Sequence, residues 1–157
     1  MATMRPELRE HAEEGIRLCR TGDWTRGLPV LANVLESRWP GEEAPGVIYA
    51  FLGYGVARYQ KKVREGLKLC EHAVKQQFYE AENHFHLARV HMLASDRRAA
   101  LSALEVGLKL DPDHPGLLEL KKQFGVRRRP IVGFLDRDHP LNVWLGRLRH
   151  SWGAGKS

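Results

Sequence analysis

The last five residues, Gly153-Ala154-Gly155-Lys156-Ser157, have the form of the close of a phosphate-binding loop. A working loop of that kind needs a glycine five residues before its last one and a helix after the serine, so that backbone N–H groups surround the phosphates. His150 holds the first place and the sequence stops at Ser157, so no nucleotide chemistry is expected of this pattern. His84, His86 and His91 are the densest group among eight histidines. His84 and His91 are seven residues apart and share one helix face, while His86 points elsewhere. No Cys, Asp or Glu completes a tetrahedral set at close spacing, so no metal is expected. Nucleophilic catalysis would need Ser or Cys beside a positioned His and an acid. Cys19 and Cys70 fall at packing positions of helical patterns, with no strand-to-helix elbow to expose them. Glu42-Glu43 has the composition of an acid/base pair, but adjacent carboxylates beside Pro and Gly read as a solvated turn. The chemistry-bearing residues therefore predict neither an enzyme nor a cofactor.

The elements that carry these residues belong to one ordinary domain. The chain has 157 residues, 43% apolar and 28% charged, as a globular protein does. No window of about eighteen apolar residues exists to cross a bilayer. The first twenty residues contain no apolar core of a secretion signal, and the two cysteines suggest no disulfide framework or zinc site. A reducing, cytoplasmic setting is expected. The net charge of +6 is uneven. Residues 1–120 carry 16 Lys/Arg against 17 Asp/Glu, while residues 121–157 carry nine basic against two acidic. A near-neutral body thus precedes a basic tail that can touch a polyanion.

Three segments share one layout: a first helix with a small residue, a polar turn, then a second helix beginning small-Leu. Aligned on the second helix, the small residues are Gly27, Gly66 and Ala100, each followed by Leu28, Leu67 and Leu101. The spacings are 39 and then 34 residues. This resembles the tetratricopeptide repeat (TPR), whose period is about 34 residues in paired antiparallel helices. In the third unit Leu87 and Ala88 match the first-helix pair, Ala100, Leu104 and Gly107 the second helix, and Asp111-Pro112 the terminating Pro. The second unit offers Tyr49, Leu52, Gly53, Cys70 and Ala73, with a turn (Gln60-Lys61-Lys62) one residue longer than the pattern. The first offers His11, Gly15, the turn Thr21-Gly22-Asp23-Trp24, then Gly27, Leu31 and Val34. The resemblance covers roughly residues 7–114.

Small residues let the two helices of a hairpin approach closely, and large apolar residues at i+3/i+4 fill the space to the next hairpin. One hairpin cannot bury its apolar face alone, so three stack around a shared core. The long loop 38–45 accounts for the first spacing, and Pro45 suits the first turn of the helix after it. Residues 115–124 read as a further amphipathic helix that caps the stack. The expected architecture is an all-α solenoid of helix hairpins over residues 1–125, followed by a basic segment over 126–157.

What the resemblance implies is a protein–protein interaction module (adaptor, assembly factor or co-chaperone-like) with its first helices lining a concave groove. Carried over position by position, the groove takes Arg9, Ile16 and Arg20, then Tyr54 and Arg58, then Phe85, Arg89 and Met92. Four arginines among aromatic and apolar residues favour a peptide with acidic groups and apolar anchors. The alternative is that these arginines pair with Glu13, Glu14 or Glu82 and solvate the surface. Some members clamp a C-terminal carboxylate with Lys, Asn and Arg. Ile16 stands where that clamp needs its first Asn, so the clamp is not carried over.

The segment 126–157 has no family match of its own. It holds the run Arg127-Arg128-Arg129, the apolar stretch 131–135, and a short basic amphipathic helix with Trp144, Arg147, Arg149 and Trp152. It either folds back on the repeats, docks on a partner or second copy, or lies on an anionic membrane or nucleic acid, the last being the least favoured. Type III secretion chaperones share the size and repeat number but are not typically tail-basic. A nucleic-acid-associated protein acting through the tail is the rival from another class, marked by steep salt dependence.

Overall fold

In a computed structural model of the chain the described residues are 2–125. The basic tail residues Arg127, Arg128, Arg129, Arg147 and Arg149 lie outside them. One compact body runs to Lys121. Seven helices follow one another among the described residues: α1 (Pro6–Arg20), α2 (Trp24–Glu36), α3 (Gly46–Tyr59), α4 (Val63–Gln76), α5 (Ala81–Leu93), α6 (Arg97–Leu110) and α7 (Pro115–Gly125). The first six pair as α1–α2, α3–α4 and α5–α6, and α3 packs directly on α5. Two short strands, β1 (Ala2–Thr3) and β2 (Glu42–Glu43), add one parallel pairing, Ala2 with Glu42 and Thr3 with Glu43.

The hairpins close where side chains are smallest. A Cβ on Gly53 would stand 2.6 Å from Cys70 Sγ and 2.7 Å from the Gly66 carbonyl oxygen. In the first hairpin Gly27 meets Cys19 and the Gly15 carbonyl in the same way. In the third, Ala88 and Ala100 are both fully buried. Leu31, Val34, Ile48 and Phe51 join the first hairpin to the second, and Tyr54, Ala57, Cys70 and Val90 join the second to the third. Each Val, Leu, Ile or Phe among them removed from water stabilises the stack by roughly 1.5–3 kcal/mol. Leu117 and Leu120 of α7 are buried while Leu118, Glu119 and Lys121 face outward, a one-sided helix at the end of the stack.

The three hairpin turns are equal in length, over 21–23, 60–62 and 94–96. Each turns the chain at its middle residue with a positive φ, 92° at Gly22, 61° at Lys61 and 60° at Ser95. Asp23 and Asp96 then cap α2 and α6, accepting from Arg26 N at 3.2 Å and Ala99 N at 3.0 Å. The extra residue of the second unit is therefore not in its turn. Gly53 and Gly66 are 13 apart where Gly15–Gly27 and Ala88–Ala100 are 12 apart, and the added residue lies in α3 beyond Gly53. Lys61 is exposed and sits in a conformation that costs a β-carbon about 1–2 kcal/mol. Lys61→Gly should raise stability by about 0.5–1 kcal/mol after the extra unfolded-state entropy of glycine, read from the urea midpoint.

The long loop corrects the reading of Glu42. Its carboxylate is not solvated: Glu42 is buried and accepts from Arg5 N at 2.6 Å, Trp39 N at 3.0 Å and Arg5 Nε at 3.3 Å. These backbone and guanidinium donors hold its pKa below the usual carboxylate value. Arg5 also lies 4.1 Å over the Trp39 ring and donates to the Ser37 carbonyl at 2.6 Å. The loop is thus tied to the N-terminus. Only Glu43 of the pair is exposed. Pro45 stands as the N-cap of α3, one residue before the first helical turn.

Candidate interaction face

The first helices α1, α3 and α5 bring their side chains together on one side of the stack. Arg20, at the end of α1, reaches over the Phe51 ring of α3 at 5.6 Å and donates to Glu82 of α5 at 3.0 Å. Arg89, two turns along α5 from Glu82, lies 3.4 Å over the Tyr54 ring and 5.0 Å from that of Phe85. Phe85 lies between His86, at 5.2 Å, and His114 just before α7, at 5.3 Å. α7 begins close by, because a Cβ on Gly116 would be 2.6 Å from Phe85.

Beneath this layer is an aromatic floor. His86 is 1% exposed, its ring 4.2 Å from Phe51, 5.7 Å from Tyr54 and 6.4 Å from Trp24. Its Nε2 lies 3.2 Å from Glu82 Oε1. Glu82 Oε2 faces Arg20 at 3.0 Å and His114 Nε2 at 3.5 Å. His114 Nδ1 accepts from Leu117 N at 3.2 Å, so its proton sits on Nε2, toward Glu82. Burial alone would raise the Glu82 pKa, but His86, Arg20 and His114 outweigh it and bring the group to about 2. Burial lowers the His86 pKa from its ordinary 6.5, against the pull of Glu82, and Arg89 and Arg20 lower it further.

Both shifts make acid destabilising, in two stages. A histidine with a depressed folded pKa loses its stability contribution as pH falls below the unfolded value of 6.5. A carboxyl depressed from 4.5 to about 2 loses its own between those values. His86→Phe keeps the aromatic floor without the proton. Its stability should stay flatter than wild type as pH falls below about 6.5 and, with His86 no longer there to hold the Glu82 carboxyl down, should lose less than wild type below about 4.5. Urea midpoints across pH test this, and parallel curves throughout would contradict it.

Of the residues assigned to this face from sequence, Arg20, Tyr54, Phe85 and Arg89 meet in one network. Ile16 is half-buried against the first core cluster. Arg9 and Arg58 are exposed and make no ion pair among the described residues, and Met92 is exposed at the edge. Sequence reasoning named Glu82 only as a possible partner and missed Phe51, His86 and His114. Glu82, Phe85 and Arg89 fall at i, i+3 and i+7, the spacing of one helix face, which was the available signal. Cys19 and Cys70 are buried thiols, pushed by burial and by nearby Asp23 and Glu71 to about 11 and about 12. Neither is a thiolate at neutral pH.

No protein-family model and no curated protein matches the sequence. Solved structures do. One is YrrB, described as a TPR protein with an unusual peptide-binding site, at 19% identity and a TM-score of 0.55 over 73% of this chain and 57% of that one. Another is the second TPR domain of human RPAP3 in complex with the HSP70 peptide SGPTIEEVD, at 14% identity and a TM-score of 0.56 over 74% of this chain and 93% of that one. The chain has the tetratricopeptide-repeat fold. It spans little more than half the length of YrrB. In TPR terms α1, α3 and α5 are the first helices of three repeats, and α7 follows the third. Among the described residues no helix is long and apolar enough to cross a membrane.

Proposed function

We propose that the face of α1, α3 and α5 binds a segment of another protein that carries acidic and apolar side chains, so that the chain works as an adaptor, assembly factor or co-chaperone-like module. The observation that carries this reading is Arg89. Its guanidinium is half-buried over Tyr54, with no ion pair among the described residues. Burial lowers its pKa from the ordinary 12.5, against the pull of Tyr54, Tyr59 and Glu82. A planar guanidinium set on an aromatic ring can take a carboxylate through two parallel bonds. Arg58 adds an exposed cation, and Phe85 and Met92 offer apolar surface for an anchor. The peptide bound to the RPAP3 domain also combines Glu and Asp with Ile and Val.

The test starts from SGPTIEEVD and a nonapeptide panel in which Glu and Leu, Ile, Val or Phe are moved through every position. Fluorescence anisotropy should find binders that need both an acidic and an apolar residue. Binding that survives removal of every acidic residue, or requires residues 126–157 alone, would overturn the reading.

A further inference from the structure

We propose that Glu82 sets the charge preference of this face: it holds Arg20 as an internal carboxylate, so that a ligand's acidic group is read by Arg89 and Arg58, and a second acidic group beside Phe51 is refused. This inference rests on the peptide-binding reading above.

The contact is long-range. Arg20 and Glu82 are 62 positions apart, on the first and third hairpins, and their bridge crosses over Phe51 of the second. Phe51 is 2% exposed, so the bridge is part of what covers it. Glu82 Oε2 accepts from Arg20 at 3.0 Å and lies 3.5 Å from His114 Nε2, while Oε1 lies 3.2 Å from His86 Nε2. Its side chain keeps 19% exposure, so its negative charge is felt at the surface. Arg20 is 57% exposed, and its charge is already answered. A ligand carboxylate arriving here meets an anion whose cation, Arg20, is already paired. Displacing Glu82 from Arg20 would strand a largely buried carboxylate beside the His86 and Phe51 rings, which is costly in a desolvated site. Selection here works by repulsion rather than by a missing contact. The neighbouring cation Arg89 lies over the Tyr54 ring and makes no ion pair within 4 Å among the described residues, which leaves its fork for the ligand.

Two substitutions separate this role from a merely structural one. Glu82→Gln keeps the shape and removes the charge, releasing Arg20 toward the ligand. Arg20→Met removes an exposed cation and leaves the Glu82 charge less compensated. The readout is the ratio of dissociation constants for two otherwise identical fluorescent nonapeptides, one with a single Glu and one with a second Glu scanned through the remaining positions. At one or more positions, Glu82→Gln should move the ratio about tenfold in favour of the doubly acidic peptide. Arg20→Met should move it about threefold the other way. Loss of packing alone would weaken both peptides together and leave the ratio unmoved. Binding with an unmoved ratio in both variants would overturn the Glu82 proposal and leave the peptide-binding face standing. Absence of binding by wild type and both variants to every peptide would overturn the face itself.

Discussion

Gly66→Val is expected to abolish cooperative folding of the repeat body. Gly66 sits where α4 crosses α3, and a Cβ there would press on the Gly53 carbonyl oxygen and stand 2.7 Å from Ala57 Cβ. The opposing atoms are backbone and a methyl group fixed to it, so no side-chain rotation can relieve the overlap. Moving the helices apart would also part Cys70 from Ala50, whose carbonyl accepts its thiol at 3.6 Å, and open the cluster around Tyr54 and Val90. Overpacking of a well-filled site costs about 1–3 kcal/mol even where neighbours can shift. With a whole-domain stability of about 5–15 kcal/mol and no route of relief, the hairpin would separate. Gly125→Ala is the control, since a Cβ there has nothing within 4 Å. Circular dichroism during urea unfolding should show a lost or strongly weakened transition for the first and an unchanged midpoint for the second. A valine variant with a wild-type midpoint would mean that the hairpins do not close on these glycines.

The second large effect concerns binding. Arg58→Glu with Arg89→Glu should weaken the best acidic nonapeptide by about a hundredfold, each reversal contributing roughly tenfold. Of the two, Arg89 is the one seated on a ring. Its cation lies on the negative face of Tyr54, and a carboxylate in its place would face the ring and the ligand with the wrong sign. Arg89→Lys separates charge from shape. It keeps the cation but loses the planar fork, so an intermediate loss is expected if the ligand is held bidentately. Peptides without acidic residues should bind neither wild type nor variant measurably. A double variant that binds the acidic peptide as wild type does would remove these arginines from the site.

The fold was legible because it rests on local spacing. Gly27, Gly66 and Ala100 mark the close approach of each second helix, and the leucines after them keep helical register. The misplaced insertion in the second unit has a simple cause. Polar residues at Gln60-Lys61-Lys62 look like a long turn, whereas the backbone uses the same three-residue turn in every hairpin and absorbs the extra residue in α3. The burial of Glu42 was hidden because its partner Arg5 is 37 positions away. The same holds for the site. Arg20, Tyr54, Phe85 and Arg89 could be assigned from repeat position, but the Glu82 cluster joins α1, α5 and the start of α7, and no local pattern announces it. His86 illustrates the point best. Its neighbours in sequence suggested a residue pointing away from the shared face of His84 and His91, yet it is the ring on which Phe51, Tyr54 and Phe85 converge.

The claim that the inner face of the three first helices takes the peptide is tested most directly by amide chemical-shift mapping. The isotope-labelled full chain would be titrated with the tightest nonapeptide of the panel. Expected is a contiguous set of shifts on Arg20, Tyr54, Arg58, Glu82, Phe85, Arg89 and Met92, with α2, α4 and α6 quiet. Shifts confined to α2, α4 and α6, or to residues 126–157, would contradict it.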